Sequence, residues 1–441
     1  MRPVDTGPPL IRTLYAGFVA LLAALLVGAL VPAAHATTAP HHAPAHPTTK
    51  IKPSWPGNAP NTTGGKDYFV DATLGRDSAA GTSAATAWRS LAKVSATTFA
   101  PGDRVLLKAG EQWQDEQLWP KGSGSAGRPI TISAYGDSGA GRPYIATNGE
   151  VPSPFKADGS KNPATVGLTG AIVLRNQQYW DINNVELSND NDFATDITTG
   201  SYVRDGIMVS INADLLKDGA DSIMDHFRIS DVFVHDLDGP SSWQRIHYGA
   251  VDFQVFGSRS YKDYGTGGYY FKDVRIENNT FENVELHAVQ FAFNWFAADG
   301  ADAGQYDESG KWHEGWEQLW VRTRDLYSRD VYIGHNYAES IGQGAIQLAD
   351  TKNMKVEYNE VNGYLKRYDA VSCALYLWAG ADSVMQSTRC TAVRTTSTTA
   401  PPGTSNTRTS TSPTSSTTRT TTRRAGWPIW ATVPTPSPAT T

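Results

Sequence analysis

The residues best suited to chemistry in this chain recur at one position of a repeated pattern. Gly249-Ala-Val-Asp-Phe253, His287-Ala-Val-Gln-Phe291, Gly344-Ala-Ile-Gln-Leu348 and Cys373-Ala-Leu-Tyr-Leu377 share their offsets. Each alternates with the period of a strand. Alternation turns Val251 and Phe253, Val289 and Phe291, Ile346 and Leu348, and Leu375 and Leu377 toward a core. The residue between each pair faces outward, giving a column of Met208, Asp252, Gln290, Gln347 and Tyr376 on an exposed sheet face. Arg245, His247, Glu285 and His287 lie close by in sequence. Carboxylates, imidazoles and a guanidinium supply candidate acids and bases in Asp252, His247, His287, Glu285 and Arg245. A stripe of amides beside them would hydrogen-bond the hydroxyls of a polysaccharide lying in a groove. The plainer alternative is an ordinary solvated outer face.

The alanine of this pattern falls at 250, 288, 345 and 374, so the intervals are 38, 57 and 29 residues. The shortest is close to a plain repeat, and the longer ones carry insertions, which in a rigid scaffold tend to hold function. The largest, roughly 294–329, carries Trp295, Trp312, Trp316 and Trp320, with His313, Glu314 and Glu317 among them. Indoles stack on the flat C–H faces of sugars; equally, they pack a loop onto its scaffold. The substrate-binding candidates are therefore Gln290, Gln347, Tyr376 and the four tryptophans.

A second pattern positions the first. Ile276-Glu-Asn-Asn-Thr-Phe281, Ile333-Gly-His-Asn-Tyr-Ala338 and Val356-Glu-Tyr-Asn-Glu-Val361 align without gaps, and the segments starting at Ile182 and Ile229 fit the same frame. Stacked rungs would bring Ile182, Ile229, Ile276, Ile333 and Val356 into one apolar ladder, and Leu187, Val234, Phe281, Ala338 and Val361 into another. Asn279, Asn336 and Asn359 would form a third ladder at a turn, where Asn tolerates left-handed backbone. Two strands per repeat with unequal loops read as a solenoid.

Composition agrees with an all-β, turn-rich extracellular protein: 19% charged residues with abundant Gly, Trp and Tyr. The formal net charge of -6 gives no reason to expect nucleic acid as a partner. Two cysteines, Cys373 and Cys390, define neither a disulfide framework nor a thiolate metal site. A calcium ion would suit the acidic surface, although no ligand motif specifies one.

Residues 1–36 read as a secretory signal: Arg2 and Arg12, an apolar run from Ala16 to Val31, and Ala34-His35-Ala36 as a cleavage site. The expectation is a secreted, extracellular monomer with no membrane span after cleavage; a retained signal anchor is the alternative. Residues 37–66, with His41, His42 and His46, read as a flexible linker. The folded part then opens with a strand and turn over 68–77, a short helix over 87–94, and strands over 104–108 and 130–135.

The YFVDATLGRDSAAGT opening, the PGDRVLLKAG strand and the GSGSAGRPITISAYG loop and strand resemble the N-terminal segment of secreted right-handed parallel β-helix proteins. These form the pectate-lyase-like superfamily, and the resemblance runs from about Tyr68 to Gln386. It implies a parallel β-helix over 67–386 with the short helix capping its first coil. That superfamily contains lyases, hydrolases, epimerases and noncatalytic adhesins, so the fold alone does not choose among them. The N-T-D, G-H-G and R-I-K segments of polygalacturonases are absent; Arg245-Ile-His247 only half matches the last. Asp225-His226 resembles a lyase pair, and Lys366 and Arg367 are candidate bases. The leading expectation is polysaccharide cleavage by a lyase or glycoside hydrolase. The alternatives are a noncatalytic carbohydrate-binding or adhesion β-helix, or an inactive truncated product.

After Gln386 the composition changes. Residues 387–441 contain no Asp, Glu, Lys, Tyr, Phe or Leu, and Thr dominates, with Arg and Pro. A disordered Ser/Thr/Pro stalk is one reading. A frameshift is the other: bases encoding 388–396 can be read in the neighbouring frame as N-E-V-Y-G-G-P-Y-N. That string extends Val384-Met-Gln386 into a further copy of the Val356–Gly363 repeat.

Overall fold

A computed structural model describes residues 55–154, 156, 162–190, 203–218, 220–239, 248–257, 269–292, 328–349, 351–364, 375–378 and 382–391, with short strands at Thr420–Thr421 and Ile429–Trp430. The expected signal segment, His41, His42 and His46 lie outside these residues.

The described chain is a right-handed parallel β-helix with three strands per coil, not two. Within one coil the chain runs through Ile223–Ser230 in the first sheet, Phe233–Leu237 in the second and Gly249–Phe256 in the third. The next coil repeats this with Tyr270–Glu277, Thr280–Val284 and His287–Ala292. The Asn-bearing sequence pattern is not one strand. It spans the corner between the first and second sheets, so its two apolar columns belong to different walls.

Both columns form as expected. In the first sheet Ile229 pairs with Ile182 and Ile276, Ile333 with Ile276 and Val356, and Met385 extends the row. In the second, Leu187, Val234, Phe281, Ala338 and Val361 align, followed by Cys390. These residues fill one continuous apolar core, with the rings of Phe253 and Phe291 stacked at 4.6 Å between third-sheet rungs.

The Asn ladder is buried at the corner. Asn336 Nδ2 donates to Ile276 O and Asn359 Oδ1, both at 2.9 Å, and its Oδ1 accepts from Asn279 Nδ2 at 2.9 Å and Asn279 N at 3.1 Å. The left-handed residue is not the ladder Asn but the one before it: Asn278, His335 and Tyr358, with Asn184, Asp231 and Ser387 in the flanking rungs. The ladder Asn thus uses its amide to satisfy the backbone that the turn exposes.

Three boundaries differ from the sequence reading. Residues 55–66, expected to be linker, are packed: Trp55 is buried against Ala109 and Ala134, and Asn58 exchanges hydrogen bonds with Gly136. The Trp side chain gives this stretch an apolar anchor that the Pro- and Thr-rich residues around it lack. The capping helix is Leu91–Ser95, shorter than expected, because Trp88 forms a parallel bridge with Val70. Ser90 caps it by accepting from Lys93 N, and Glu116 accepts from Leu91 N at 2.7 Å. At the other end, Arg389–Thr391 pairs in parallel with Glu360–Asn362, so the described coil continues past Gln386, where the sequence reading ended it. Residues 392–419, 422–428 and 431–441 lie outside the description.

Candidate active site

The third sheet carries the polar column. Strand register aligns Met208 with Asp252, Asp252 with Gln290, Gln290 with Gln347 and Gln347 with Tyr376, the order read from sequence. The alternation breaks at the strand starts. Ala288 and Val289 are consecutive, yet both are in the core, and both backbone N–H groups donate to Ala345 O at 2.9 Å. This irregularity recurs at Ala250-Val251 and Ala345-Ile346, consecutive core residues in both rungs. In the rung before, Gly206 takes the alanine position, where a Cβ would lie 2.5 Å from Val234 Cγ1. Two successive inward residues return the preceding position to the outer side. Asp205, Gly249, His287 and Gly344 therefore share a side with Asp252.

Asp205 is the site residue that sequence reasoning missed. Its Oδ2 accepts from Thr169 Oγ1 at 2.5 Å and its Oδ1 from Gly249 N at 2.8 Å. Asn189 Nδ2 fixes its backbone by donating to Asp205 O and Thr169 O, both at 3.1 Å. Asp252 Oδ2 accepts from Gln254 Nε2, while its Oδ1 receives no donor from the amide, hydroxyl or backbone groups around it. The two carboxyls are fully buried and close enough to interact directly. Burial raises the pKa of both, and the Asp205 charge raises Asp252 further. Two carboxylates in such contact cannot both ionise, so the pair shares one proton. Asp205, with two donors already on its oxygens, is the better anion, and Asp252 is the better proton holder.

The neighbours are also buried, which corrects the expected exposed face. Asp252 and Gln290 are 0% exposed, and Glu285, His287 and Gln347 are buried with them. Outward from the coil does not mean toward solvent: at the Met208 end, Val166, Leu168 and Phe256 cover the sheet, with Trp119 packed beside them. Gln290 is beside Asp252 in register, and neither its Oε1 nor its Nε2 has a partner. His287 Nδ1 lies 2.7 Å from Gly344 O, which fixes the proton on Nδ1. Burial lowers its pKa to about 4 against the opposing effect of that bond, so the ring is neutral above that pH. Glu285 sits at the end of its second-sheet strand, its N–H donating to Leu237 O at 3.0 Å.

Arg245, His247, Trp295, Trp312, Trp316 and Trp320 lie outside the described residues, as do Lys366 and Arg367; the strand of Tyr376 is described but its side chain is not. Asp225-His226 is on the first sheet, away from this column. There His226 bridges Asp181 and Asp273, each at 3.2 Å, and stacks on Tyr179, an arrangement that joins rungs. Among the described residues no group of three or more His, Cys, Asp or Glu side chains is placed to hold a metal ion. No helix among them is long and apolar enough to cross a membrane.

The fold is a right-handed parallel β-helix, shared with solved carbohydrate-active proteins. Two crystal structures of a GH136 lacto-N-biosidase from Eubacterium ramulus, the native protein and its selenomethionine derivative, superpose with a TM-score of 0.56 at 20% and 19% identity. Each match covers 73% of this chain and 51% of that one. In sequence the chain is 28% identical over 371 residues to a lacto-N-biosidase of Bifidobacterium longum subsp. longum, covering 74% of this chain. It spans 22% of that relative's length and about half of the solved chains. No family model matches the chain.

Proposed function

We propose that this chain is an exported carbohydrate-active enzyme, a glycoside hydrolase whose acid and carboxylate are Asp252 and Asp205. The observation that carries the reading is the fully buried carboxyl pair on the outer side of the third sheet, each group held above the usual carboxylate range, with the unpartnered amide of Gln290 beside it. Glycosidic bond cleavage needs one protonated and one ionised carboxyl, and this pair supplies that combination once Asp205, its pKa raised by burial to about 7, has ionised. Asp252 protonates the departing glycosidic oxygen. Asp205, held by Thr169 and the Gly249 N–H, faces the anomeric carbon.

In this reading Gln290 and Gln347 hydrogen-bond sugar hydroxyls. His287 is a neutral positioning residue, because an imidazole with a pKa of about 4 carries no proton to give near pH 7. Similarity to two lacto-N-biosidases makes a lacto-N-bioside the first substrate to try. The test is release of p-nitrophenol from p-nitrophenyl β-lacto-N-bioside, alongside product analysis with lacto-N-tetraose and polysaccharides. Cleavage by the wild type that falls at least a hundredfold in Asp252→Asn and in Asp205→Asn supports the assignment. Sugar binding without cleavage of any glycan favours a binding protein instead, and products with unsaturated-sugar absorbance favour a lyase.

A further inference from the structure

A second polar cleft lies on the outer face of the first sheet, on a different wall of the coil from the carboxyl pair. Gln178, Tyr179, Asp221, Ile223, Asp225, Tyr270, Lys272 and Arg329 enclose about 370 Å³. That is within the range of small-ligand sites. Its floor is built by register. Asp225, Lys272, Arg329 and Lys352 stand side by side in consecutive rungs, and Ile223 pairs with Tyr270 two residues earlier. Gln178 extends the row: its Oε1 accepts from Asp225 N at 3.2 Å and its Nε2 donates to Asp221 at 2.9 Å. Two aromatic rings are held in place beside it. Tyr270 packs against the Arg329 guanidinium at 4.2 Å, and Tyr179 stacks on His226 at 5.7 Å.

We propose that this cleft is a second, noncatalytic glycan-binding site. A row of amide, carboxylate, ammonium and guanidinium groups matches the mixed donor and acceptor character of sugar hydroxyls. Tyrosine rings match the apolar C–H faces of the same sugars. Rungs repeat at about 4.8 Å, close to the length of one sugar unit, so a glycan lying along the coil axis meets a new side chain at each residue. The cleft holds both charge signs, with Lys272 3.7 Å from Asp225 and well exposed. It therefore binds by hydrogen bonding and stacking more than by net charge. Such a site would keep a polymeric substrate on the enzyme while its end is processed on the other wall.

The experiment is affinity electrophoresis of the whole chain in native gels cast with polygalacturonate or with neutral arabinogalactan. The wild type should be retarded by at least one polymer, and Asp252→Asn equally so. Tyr270→Ala should weaken the apparent affinity about tenfold. Lys272→Glu, a change at an exposed side chain, should also weaken it without altering the thermal unfolding midpoint. Loss only in the polygalacturonate gel, and only at low salt, would identify an acidic glycan; loss in both gels would identify recognition of the sugar rings. No retardation of the wild type by either polymer, or unchanged retardation in both variants, overturns the proposal. Neither result bears on the hydrolase assignment, which is read from p-nitrophenol release.

Discussion

Replacing Asp252 by Asn should make the protein inactive and, at neutral pH, more stable. The amide reproduces the protonated carboxyl: its nitrogen can donate toward Asp205, and its oxygen can accept from Gln254 as Oδ2 does now. In the wild type the same arrangement requires a proton on a group that, in the unfolded chain, loses it near pH 4. Burial and the Asp205 charge raise the folded pKa of Asp252. A carboxyl with a raised pKa contributes stability that is complete below its unfolded value and is lost as pH rises toward the folded value. At pH 6, about two units above the unfolded value, holding that proton costs the fold about 3 kcal/mol, whereas Asn costs nothing comparable. The two proteins should unfold at the same temperature near pH 3.5. By pH 6 they should differ by about 3 kcal/mol, or roughly 6 °C, with the variant the more stable. Over the same range kcat should fall by about 10² to 10⁴. Thermal melts by circular dichroism across this pH series, beside p-nitrophenol release, test both halves. A variant that melts lower than wild type at every pH, or by a gap independent of pH, would refute the shared-proton account.

Three further outcomes follow from other groups. Asn336→Ala removes the four hydrogen bonds that its side chain makes, and at about 1 kcal/mol each the urea midpoint should reflect a loss of about 4 kcal/mol. His235 sits between the rings of Phe233 and Tyr144, with Nδ1 2.8 Å from Asp236 and Nε2 3.3 Å from Glu186. Burial pulls its pKa down, but those carboxylates push it up to about 9. The raised pKa gives stability that is full below about pH 6.5 and lost as pH rises through 9, about 3 kcal/mol in all; His235→Gln should flatten that slope in pH-dependent melts. Thr388 is buried in the ladder register one rung beyond Asn359, since Arg389 N donates to Asn359 O at 2.9 Å. Thr388→Asn should extend the ladder and add about 1 kcal/mol, read as a higher melting temperature. This is also the residue that bases encoding 388–396 can give there in the neighbouring frame, so no gain would count against the frameshift reading.

The walls of the solenoid were legible because they are periodic. Ile276, Ile333 and Val356 align by spacing alone, and pairing in the structure keeps that alignment. The corner was less so. A residue at positive φ leaves no type of its own here: the six corner positions hold Asn, Asp, Asn, His, Tyr and Ser. The ladder Asn beside them was the visible signal, and it led the positive φ to be placed one residue late. The packing of Trp55 and the continuation through Arg389–Thr391 were hidden for the opposite reason. Both segments have the composition of a linker, and a single buried side chain in each, Trp55 and partly buried Cys390, fixes them to the fold.

The carboxyl pair was half legible, and the missing half shows how the site is made. Strict alternation would turn Asp205 inward with Ile207 and Val209, where an ionised side chain has no place. What reverses it is the doubled inward step at the strand start, which the sequence records only as small residues: Gly206, Ala250, Ala288 and Ala345. Gly249 completes the arrangement. A Cβ there would come within 2.7 Å of His287 O, and its N–H is the donor that holds Asp205. The parallel ladder on either side already satisfies the backbone of these rungs, so the carboxyls need only side-chain donors and each other. A buried acid pair with a raised pKa is destabilising in isolation; in this stack it is tolerated because the neighbouring apolar and Asn ladders hold the rungs in register. The residues that define the site and those that define the fold are therefore interleaved along the same strands, and the small ones between them decide which side chains meet.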